Sequence, residues 1–199
     1  MRIIAGTHRG RRLLAPETEE TRPITDRVKQ SLFDMLMPRL ENACVLDIFA
    51  GTGSMGLESL SRGARHATFF ESGRSPLRLL RENIDALGFA DRSTIMPVDV
   101  FKWSPKPETA DSADLVFLDP PYRFLAERAS DLQELAMKLA ALLSPDGIVL
   151  FRHDTSDSLV LTPLIPHDRR EYGAMTIEFL AEWSKRDESH PRGMGVPPV

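Results

Sequence analysis

Short apolar runs alternate with stretches of helical periodicity along most of this 199-residue chain. The apolar runs cover residues 43–49, 66–71, 94–99, 114–119 and 147–151. A short run without polar alternation is typical of a strand buried on both faces of a parallel sheet. Pro97 lies in the third run, and because proline cannot donate to a strand ladder, we expect that strand near the sheet edge.

Between these runs, apolar residues recur at helical spacing. The spacing predicts helices over about residues 25–37, 54–62, 75–87 and 129–143. Thr25 or Asp26 is a suitable N-cap for the first helix, and Gly88 is a suitable C-cap for the third.

Two further strands are predicted between Tyr172 and Trp183, with Gly173 near the turn between them. Because no helix separates these strands, they should form an antiparallel hairpin at one edge of the sheet. Elsewhere, alternating strands and helices favour parallel pairing. The pattern therefore predicts an α/β fold with a Rossmann-like, mostly parallel seven-stranded sheet, helices on both faces and an antiparallel C-terminal strand.

The chain is expected to have three parts. Residues 1–40 combine a hairpin, a linker over residues 16–23 and the first helix, and we interpret them as a basic N-terminal extension. Residues 41–184 form the α/β domain. The polar tail over residues 185–199 is rich in proline and glycine and is predicted to be disordered.

Charge is spread unevenly along the chain. The net charge of -4 argues against a protein that coats nucleic acid non-specifically. The first twelve residues nevertheless contain no acid and four arginines: Arg2, Arg9, Arg11 and Arg12. Such an arm can dock an acidic enzyme on a polyanion, although four solvated arginines on a loop are an equally good interpretation.

No apolar run reaches the length that a membrane-spanning helix needs, and the N-terminus lacks the pattern of a signal peptide. The single cysteine, Cys44, cannot form an internal disulfide. We therefore expect a cytoplasmic protein without membrane contact. We expect no metal site either, because His, Cys and Asp do not cluster at ligand spacing.

A glycine-rich turn follows the first predicted strand. Its residues are Asp47-Ile48-Phe49-Ala50-Gly51-Thr52-Gly53-Ser54-Met55-Gly56. In a doubly wound sheet this turn borders the ligand crevice, and Gly51 and Gly53 would let the backbone approach a ligand closely. The spacing also occurs in dinucleotide-binding proteins. Asp47, however, precedes the glycines, where it could hold a cationic amino group and would repel a pyrophosphate.

Acids also end the next two predicted strands. Glu71 has the spacing at which an acid binds ribose hydroxyls, and Asp99 could accept a hydrogen bond from an adenine amine. An amino-acid part, a ribose and an adenine together describe S-adenosylmethionine, so we expect that cofactor. The alternatives are a tight turn whose acids cap helices and a nicotinamide-dependent dehydrogenase, against which Asp47 argues.

The sequence Asp119-Pro120-Pro121-Tyr122 directly follows the fourth predicted strand. An exocyclic amine on a nucleobase is a poor nucleophile because its lone pair is delocalised into the ring. The Asp119 carboxylate and the Pro120 carbonyl could accept its two N–H hydrogens and aim the lone pair at a methyl donor. Tyr122 could stack on the base. Two prolines are also a common way to end a strand.

Several stretches together resemble the RsmD-type methyltransferases of bacteria. They are Met1-Arg2-Ile3-Ile4-Ala5-Gly6, Gly10-Arg11-Arg12-Leu13, Thr21-Arg22-Pro23, Asp26-Arg27-Val28, Leu32-Phe33, Val45-Leu46-Asp47, Phe49-Ala50-Gly51-Thr52-Gly53, Gly56-Leu57-Glu58, Ser61-Arg62-Gly63-Ala64 and Phe117-Leu118-Asp119-Pro120-Pro121-Tyr122. The resemblance runs from residue 1 to about residue 183. It implies a class I methyltransferase that uses S-adenosylmethionine to modify N2 of one guanine in 16S ribosomal RNA.

The resemblance also implies roles for individual residues. Asp47, Gly51, Gly53 and Glu71 would bind the cofactor, with Phe49 in the same loop, and the Asp119 motif would hold the guanine. The base would have to be exposed or flipped into the pocket.

Other contacts are predicted from the residues. Asp99 is a candidate contact to the adenine amine, and Arg22, Thr25 and Arg27 could close over the cofactor rather than contact phosphates. For Arg27, pairing with Asp26 or Glu41 on the helix surface is an equal alternative.

The expected partner is the small ribosomal subunit or an assembly intermediate, bound by Arg9, Arg11, Arg12 and Arg22 through phosphates. A monomer is the default. Two alternatives remain open: a DNA adenine-N6 or other nucleic-acid amino-methyltransferase, and a non-catalytic RNA-binding factor that keeps the fold.

Overall fold

The computed structural model describes residues 1–16, 24–105 and 112–182. Arg22 and the predicted tail over residues 185–199 lie outside the described residues. The helices are α1 (Asp26–Leu36), α2 (Ser54–Ser61), α3 (Arg74–Ala86), α4 (Arg123–Glu127) and α5 (Ala129–Leu142). The strands are β1 (Cys44–Ile48), β2 (His66–Phe70), β3 (Ser93–Met96), β4 (Ala113–Leu118), β5 (Leu143–Asp154), β6 (Leu164–Tyr172) and β7 (Met175–Glu182).

The strands form one seven-stranded sheet in the order β3-β2-β1-β4-β5-β7-β6. β1 to β5 are parallel, whereas β7 lies between β5 and β6 and is antiparallel to both. β3 is the edge strand at the end of the sheet opposite β6, as predicted from Pro97. The predicted fold class is confirmed.

Alternate residues of the central strands pack against opposite layers of helices. Leu115 and Phe117 of β4 belong to an apolar cluster with α1, α2 and α3, whereas Val116 and Leu118 belong to a cluster with α5. This alternation follows from the two-residue period of a strand. Each fully buried leucine or phenylalanine in these layers contributes about 1.5–3 kcal/mol. The two layers hold the sheet rigid, so loops at its carboxyl edge have fixed positions.

Some predicted boundaries were wrong. β3 ends at Met96, three residues before Asp99, which instead caps a short 3-10 turn by accepting a hydrogen bond from the Phe101 amide at 3.2 Å. β6 begins at Leu164 rather than near Tyr172, because this edge strand is largely exposed and carries mainly polar residues. Its sequence therefore lacks the apolar run that marks the inner strands.

The predicted N-terminal hairpin is present as a single antiparallel bridge between Arg2 and Arg12. The amide of Ile3 donates to the Arg11 carbonyl at 2.9 Å, and the amide of Gly10 donates to the Ile3 carbonyl at 2.9 Å. Ile3 is completely buried in the same cluster as α1. The arm is therefore packed onto the domain rather than free in solution.

A buried carboxylate on α2 also fixes this arm. Glu58 has no exposed surface and accepts hydrogen bonds from the amides of Ile4 and Ala5 at 2.8 and 3.0 Å. Two buried cations balance its charge: Lys29 of α1 at 3.1 Å and Arg62 at 2.8 Å. Buried charges persist only when they are paired and hydrogen-bonded, so this network ties the arm, α1 and α2 together.

Among the described residues, no helix is both long enough and apolar enough to cross a membrane.

Candidate active site

The glycine loop connects β1 to α2 at the carboxyl edge of the sheet. Phe49, Gly51 and Gly53 have φ angles of 62°, 58° and 85°. A Cβ atom added to Gly53 would lie 2.5 Å from Cδ1 of Leu80, so the Leu80 side chain would have to shift to admit it. A Cβ added to Gly51 would meet no atom within 4 Å. The space in front of Gly51 is therefore open to a ligand.

Glu71 follows β2 and braces this loop. Its Oε2 accepts a hydrogen bond from the Gly51 amide at 2.9 Å. Its Oε1 accepts from the amides of Ser72 and Gly73 at 2.8 and 2.6 Å. A carboxylate has about four acceptor positions, and three amides already donate to Glu71, so it keeps about one position for a hydroxyl group of a ligand beside Gly51.

Asp47 lies beneath the loop and is only 2% exposed. Its Oδ2 accepts a hydrogen bond from the Gly56 amide in α2 at 2.9 Å. Burial raises the pKa of Asp47 to about 8, an effect that the Gly56 hydrogen bond partly opposes and nearby Asp119 reinforces. In this structure Asp47 supports the start of α2, and its predicted contact with a cofactor amino group stays a prediction.

An aromatic cluster lies next to the glycine loop. The ring of Phe49 is 5.5 Å from that of Phe101 and 6.0 Å from that of Phe124, measured between centroids. The Arg128 guanidinium lies over Phe101, with its Cζ 4.0 Å from the ring centroid. Asp99 precedes Phe101 by two residues and caps the turn that carries it. A flat ring can pack against such a cluster. Phe101 and Phe124 were not predicted from the sequence, because both are distant from Phe49 in the chain.

Asp119 directly follows β4 and reaches the neighbouring strand β5. Its Oδ1 lies 2.8 Å from Nε of Arg152. Burial raises the pKa of Asp119, whereas the positive charge of Arg152 opposes that rise. Pro120 is buried and Tyr122 is half-buried. The Asp119 carboxylate is therefore paired with a cation that the sequence analysis did not predict.

Arg152 lines a small cleft next to the Asp119 motif. The lining residues are Leu32, Met55, Phe117, Asp119, Leu150, Arg152 and Ile177. Arg152 lies in β5. Because Leu118 of β4 pairs with Phe151 of β5, the next residues in the chain, Asp119 and Arg152, come together. Nothing in the local sequence around Arg152 indicates this register.

The remaining predicted residues belong to the N-terminal extension over residues 1–40. Arg9, Arg11 and Arg12 are exposed, and Arg11 donates to the Ala86 carbonyl near the end of α3 at 3.3 Å. Thr25 is the N-cap of α1, where its side chain accepts from the Val28 amide at 3.3 Å. Its predicted cofactor contact stays a prediction.

One of the two partners suggested for Arg27, Asp26, is engaged elsewhere. Asp26 forms an ion pair with Arg2 at 2.7 Å, so the arm and the start of α1 are joined at the surface.

Comparison with known proteins identifies the family. Residues 1–181 match the family described as conserved hypothetical protein 95. Ribosomal RNA small subunit methyltransferase D of Haemophilus influenzae is 40% identical over 134 residues, which is 66% of this chain and 69% of that protein. The chain belongs to the RsmD family of class I methyltransferases.

Two further relatives extend the match over nearly the whole domain. YlbH of Bacillus subtilis is 32% identical over 178 residues, which cover 87% of this chain and 94% of that protein. The solved structure of yhhF from Escherichia coli superposes with a TM-score of 0.78 at 29% identity and covers 92% of this chain and 97% of that one. Membership of the RsmD family confirms the resemblance drawn from the motifs.

The described part of the chain contains no group of three or more His, Cys, Asp or Glu side chains that could hold a metal ion.

Proposed function

We propose that this protein transfers a methyl group from S-adenosylmethionine to N2 of a guanine in 16S ribosomal RNA. The observation that carries the proposal is the adjacency of the glycine loop and the Asp119 motif. Ile48 pairs with Leu118, and the Asp119 amide lies 3.5 Å from the Ile48 carbonyl. A ligand held by the loop is therefore next to the carboxylate that would receive the substrate amine.

The residues around the glycine loop fit S-adenosylmethionine. The open space at Gly51 allows close approach of a ligand to the backbone, and Glu71 has acceptor capacity for ribose hydroxyls. Asp99 and the ring of Phe101 offer an acceptor and an apolar wall for adenine. Gly53 would shape the loop, and Asp47, Phe49 and Thr25 remain candidate contacts. When bound, the cofactor supplies an electrophilic methyl group on a positively charged sulfur.

The Asp119 motif would position the amine for this transfer. The Asp119 carboxylate accepts one N–H of the amine and the Pro120 carbonyl accepts the other. The nitrogen lone pair is thereby freed from the ring and aimed at the methyl donor. The nitrogen loses one proton as it gains a methyl group, and Asp119 accepts it. Tyr122 stacks on the base and fixes its plane.

The N-terminal extension over residues 1–40 would bind the RNA, and residues 41–184 would carry out methyl transfer. Arg9, Arg11 and Arg12 are exposed on an arm that Glu58 holds in place, so they can contact phosphates without unfolding the domain. Arg22 would add a further phosphate contact. The partner is the small ribosomal subunit or an assembly intermediate, and the protein acts in the cytoplasm as a monomer without a metal.

Transfer of labelled methyl from S-adenosylmethionine to small subunits tests this function. The subunits come from a strain that lacks the enzyme, and the RNA is then digested to nucleosides. We expect label in N2-methylguanosine. Label in another nucleoside would overturn the guanine assignment, and label in duplex DNA under the same conditions would favour an adenine-N6 enzyme. Cofactor binding without methyl transfer to any of these substrates would favour a non-catalytic RNA-binding factor.

A further inference from the structure

Arg152 is a buried arginine next to the Asp119 motif, and the proposed reaction gives it no role. It lies on β5 one residue after Phe151, and its side chain is only 12% exposed. Burial of an arginine at the carboxyl edge of a sheet is costly unless its charge is matched. The matching charge comes from Asp119, the first residue of the proposed substrate-binding motif.

The guanidinium of Arg152 contacts both polar side chains of that motif. Its Nε lies 2.8 Å from Oδ1 of Asp119. Its Cζ lies 5.9 Å from the centroid of the Tyr122 ring, within the range of a cation–π contact. The guanidinium therefore pairs electrostatically with the Asp119 carboxylate and lies within cation–π range of the Tyr122 ring.

The surroundings of this ion pair are mostly apolar. α1, α2 and β7 contribute Leu32, Met55 and Ile177 to the cleft. Asp47, on β1, is close enough for Asp119 to raise its pKa, and with a pKa of about 8 Asp47 is mostly protonated at neutral pH. Arg152 is therefore the cation in contact with Asp119 that opposes the effect of burial on the pKa of Asp119.

We propose that Arg152 is a positioning residue that holds Oδ1 of Asp119, turns Oδ2 toward the amine of the target base and supports Tyr122 beneath that base. The inference rests on the proposed function, since it assigns Asp119 and Tyr122 to substrate. By its charge, Arg152 also favours the ionised form of Asp119, which can accept the N–H of the amine. Its contribution is orientation and charge, and it takes part in no bond change.

The variants Arg152→Gln and Arg152→Lys separate charge from geometry. Arg152→Gln removes the cation, so Asp119 should ionise only at higher pH. The acid limb of the pH profile of kcat, where kcat rises as Asp119 ionises, should shift to higher pH by about one unit or more. Arg152→Lys keeps a cation but loses the planar contact, so the limb should stay near its original position while kcat falls about tenfold. Arg78→Gln is the matched control, because Arg78 forms an ion pair of 2.8 Å with Glu82 at the surface.

A purely structural role would lower activity at every pH without moving the limb. The proposal is overturned if kcat of Arg152→Gln rises over the same pH range as kcat of the wild type and of Arg78→Gln. If Arg152→Gln does not fold, Arg152→Lys decides, and an unchanged kcat in that variant overturns the geometric role. Cofactor affinity should be unchanged in both variants, because the contacts of Arg152 are with Asp119 and Tyr122, which are proposed to hold the substrate base.

Failure of this inference can be distinguished from failure of the proposed function. Carbon NMR of the Asp119 carboxyl group, assigned with Asp119→Asn, measures its pKa without any methyl transfer. A higher pKa in Arg152→Gln supports the pairing even if ribosomal RNA proves to be the wrong substrate. An unchanged pKa overturns the inference even if the wild type methylates ribosomal RNA.

Discussion

The backbone amide of Gly51 donates a hydrogen bond of 2.9 Å to Oε2 of Glu71. This bond joins the loop after β1 to the end of β2. The Glu71 carboxylate, which is proposed to bind the ribose, therefore also holds the glycine loop that approaches the cofactor. The loop and the acid are therefore a single structural unit, and a change in either should be measured as a change in cofactor affinity.

We expect Glu71→Gln to weaken S-adenosylmethionine binding by about tenfold to a hundredfold, because a hydrogen bond to a charged group contributes about 1.5–3 kcal/mol. Isothermal titration calorimetry with the cofactor measures the effect. Glu82→Gln is the control, since Glu82 is an exposed acid on α3. Equal affinity in Glu71→Gln and wild type would remove Glu71 from the site.

Gly51→Ala and Gly53→Ala should fail in different ways. The new Cβ of Gly51→Ala meets no protein atom within 4 Å, so the domain should fold with a loss of about 1–2 kcal/mol from its positive φ and should bind the cofactor poorly. The new Cβ of Gly53→Ala lies 2.5 Å from Leu80 and should lower the melting temperature further. Calorimetric melting and cofactor titration of both variants measure the contrast. Tight cofactor binding by Gly51→Ala would mean that the ligand lies elsewhere.

Asp119→Ala should reduce methyl transfer by about a hundredfold or more while cofactor affinity changes little, because Asp119 is proposed to contact the amine rather than the cofactor. Single-turnover transfer to small subunits measures the first quantity, and cofactor titration measures the second. Parallel loss of both would contradict the assigned role. Asp146→Ala, a change in an exposed acid near the start of β5, is the control.

Joint replacement of Arg9, Arg11 and Arg12 by Gln should weaken RNA binding and reduce the dependence of the logarithm of affinity on the logarithm of salt concentration. Each lost phosphate contact lowers that slope by about 0.7 to 0.9. Filter binding at several salt concentrations measures it. The double variant Arg169→Gln/Arg170→Gln, on edge strand β6, is the control. An unchanged slope in the triple variant would make these arginines solvated surface residues.

The raised pKa of Asp47 predicts a pH dependence of stability. Since its pKa is about 8 in the folded protein and 3.8 for an unperturbed aspartate, the folded state binds more protons than the unfolded chain between these values. This contribution to stability is complete at low pH and is lost as pH rises toward about 8. Asp47→Asn cannot titrate, so the free energy of unfolding of the wild type should fall relative to that variant between about pH 5 and pH 8. Urea unfolding measures the difference, and a constant difference would mean that Asp47 is ionised throughout.

Local sequence pattern determined most of the architecture. Apolar runs located β1, β2 and β4, because a strand buried on both faces has to be apolar along its whole length. Helical spacing located α1, α3 and α5 in the same way. The Asp119 motif could be found from sequence because its chemistry depends on adjacent residues.

Tertiary structure decided which distant side chains meet. Arg152 reaches Asp119 through the pairing of β4 with β5, and that pairing shifts register between Ala113 and Leu115. A shift of one residue turns every side chain of a strand to the other face of the sheet, so the local pattern cannot specify this contact. Burial of Asp47 and the closure of the glycine loop by Glu71 likewise depend on packing between elements. The sequence by itself therefore determined the elements and the motif, and the register and packing of the sheet decided the charge and geometry around them.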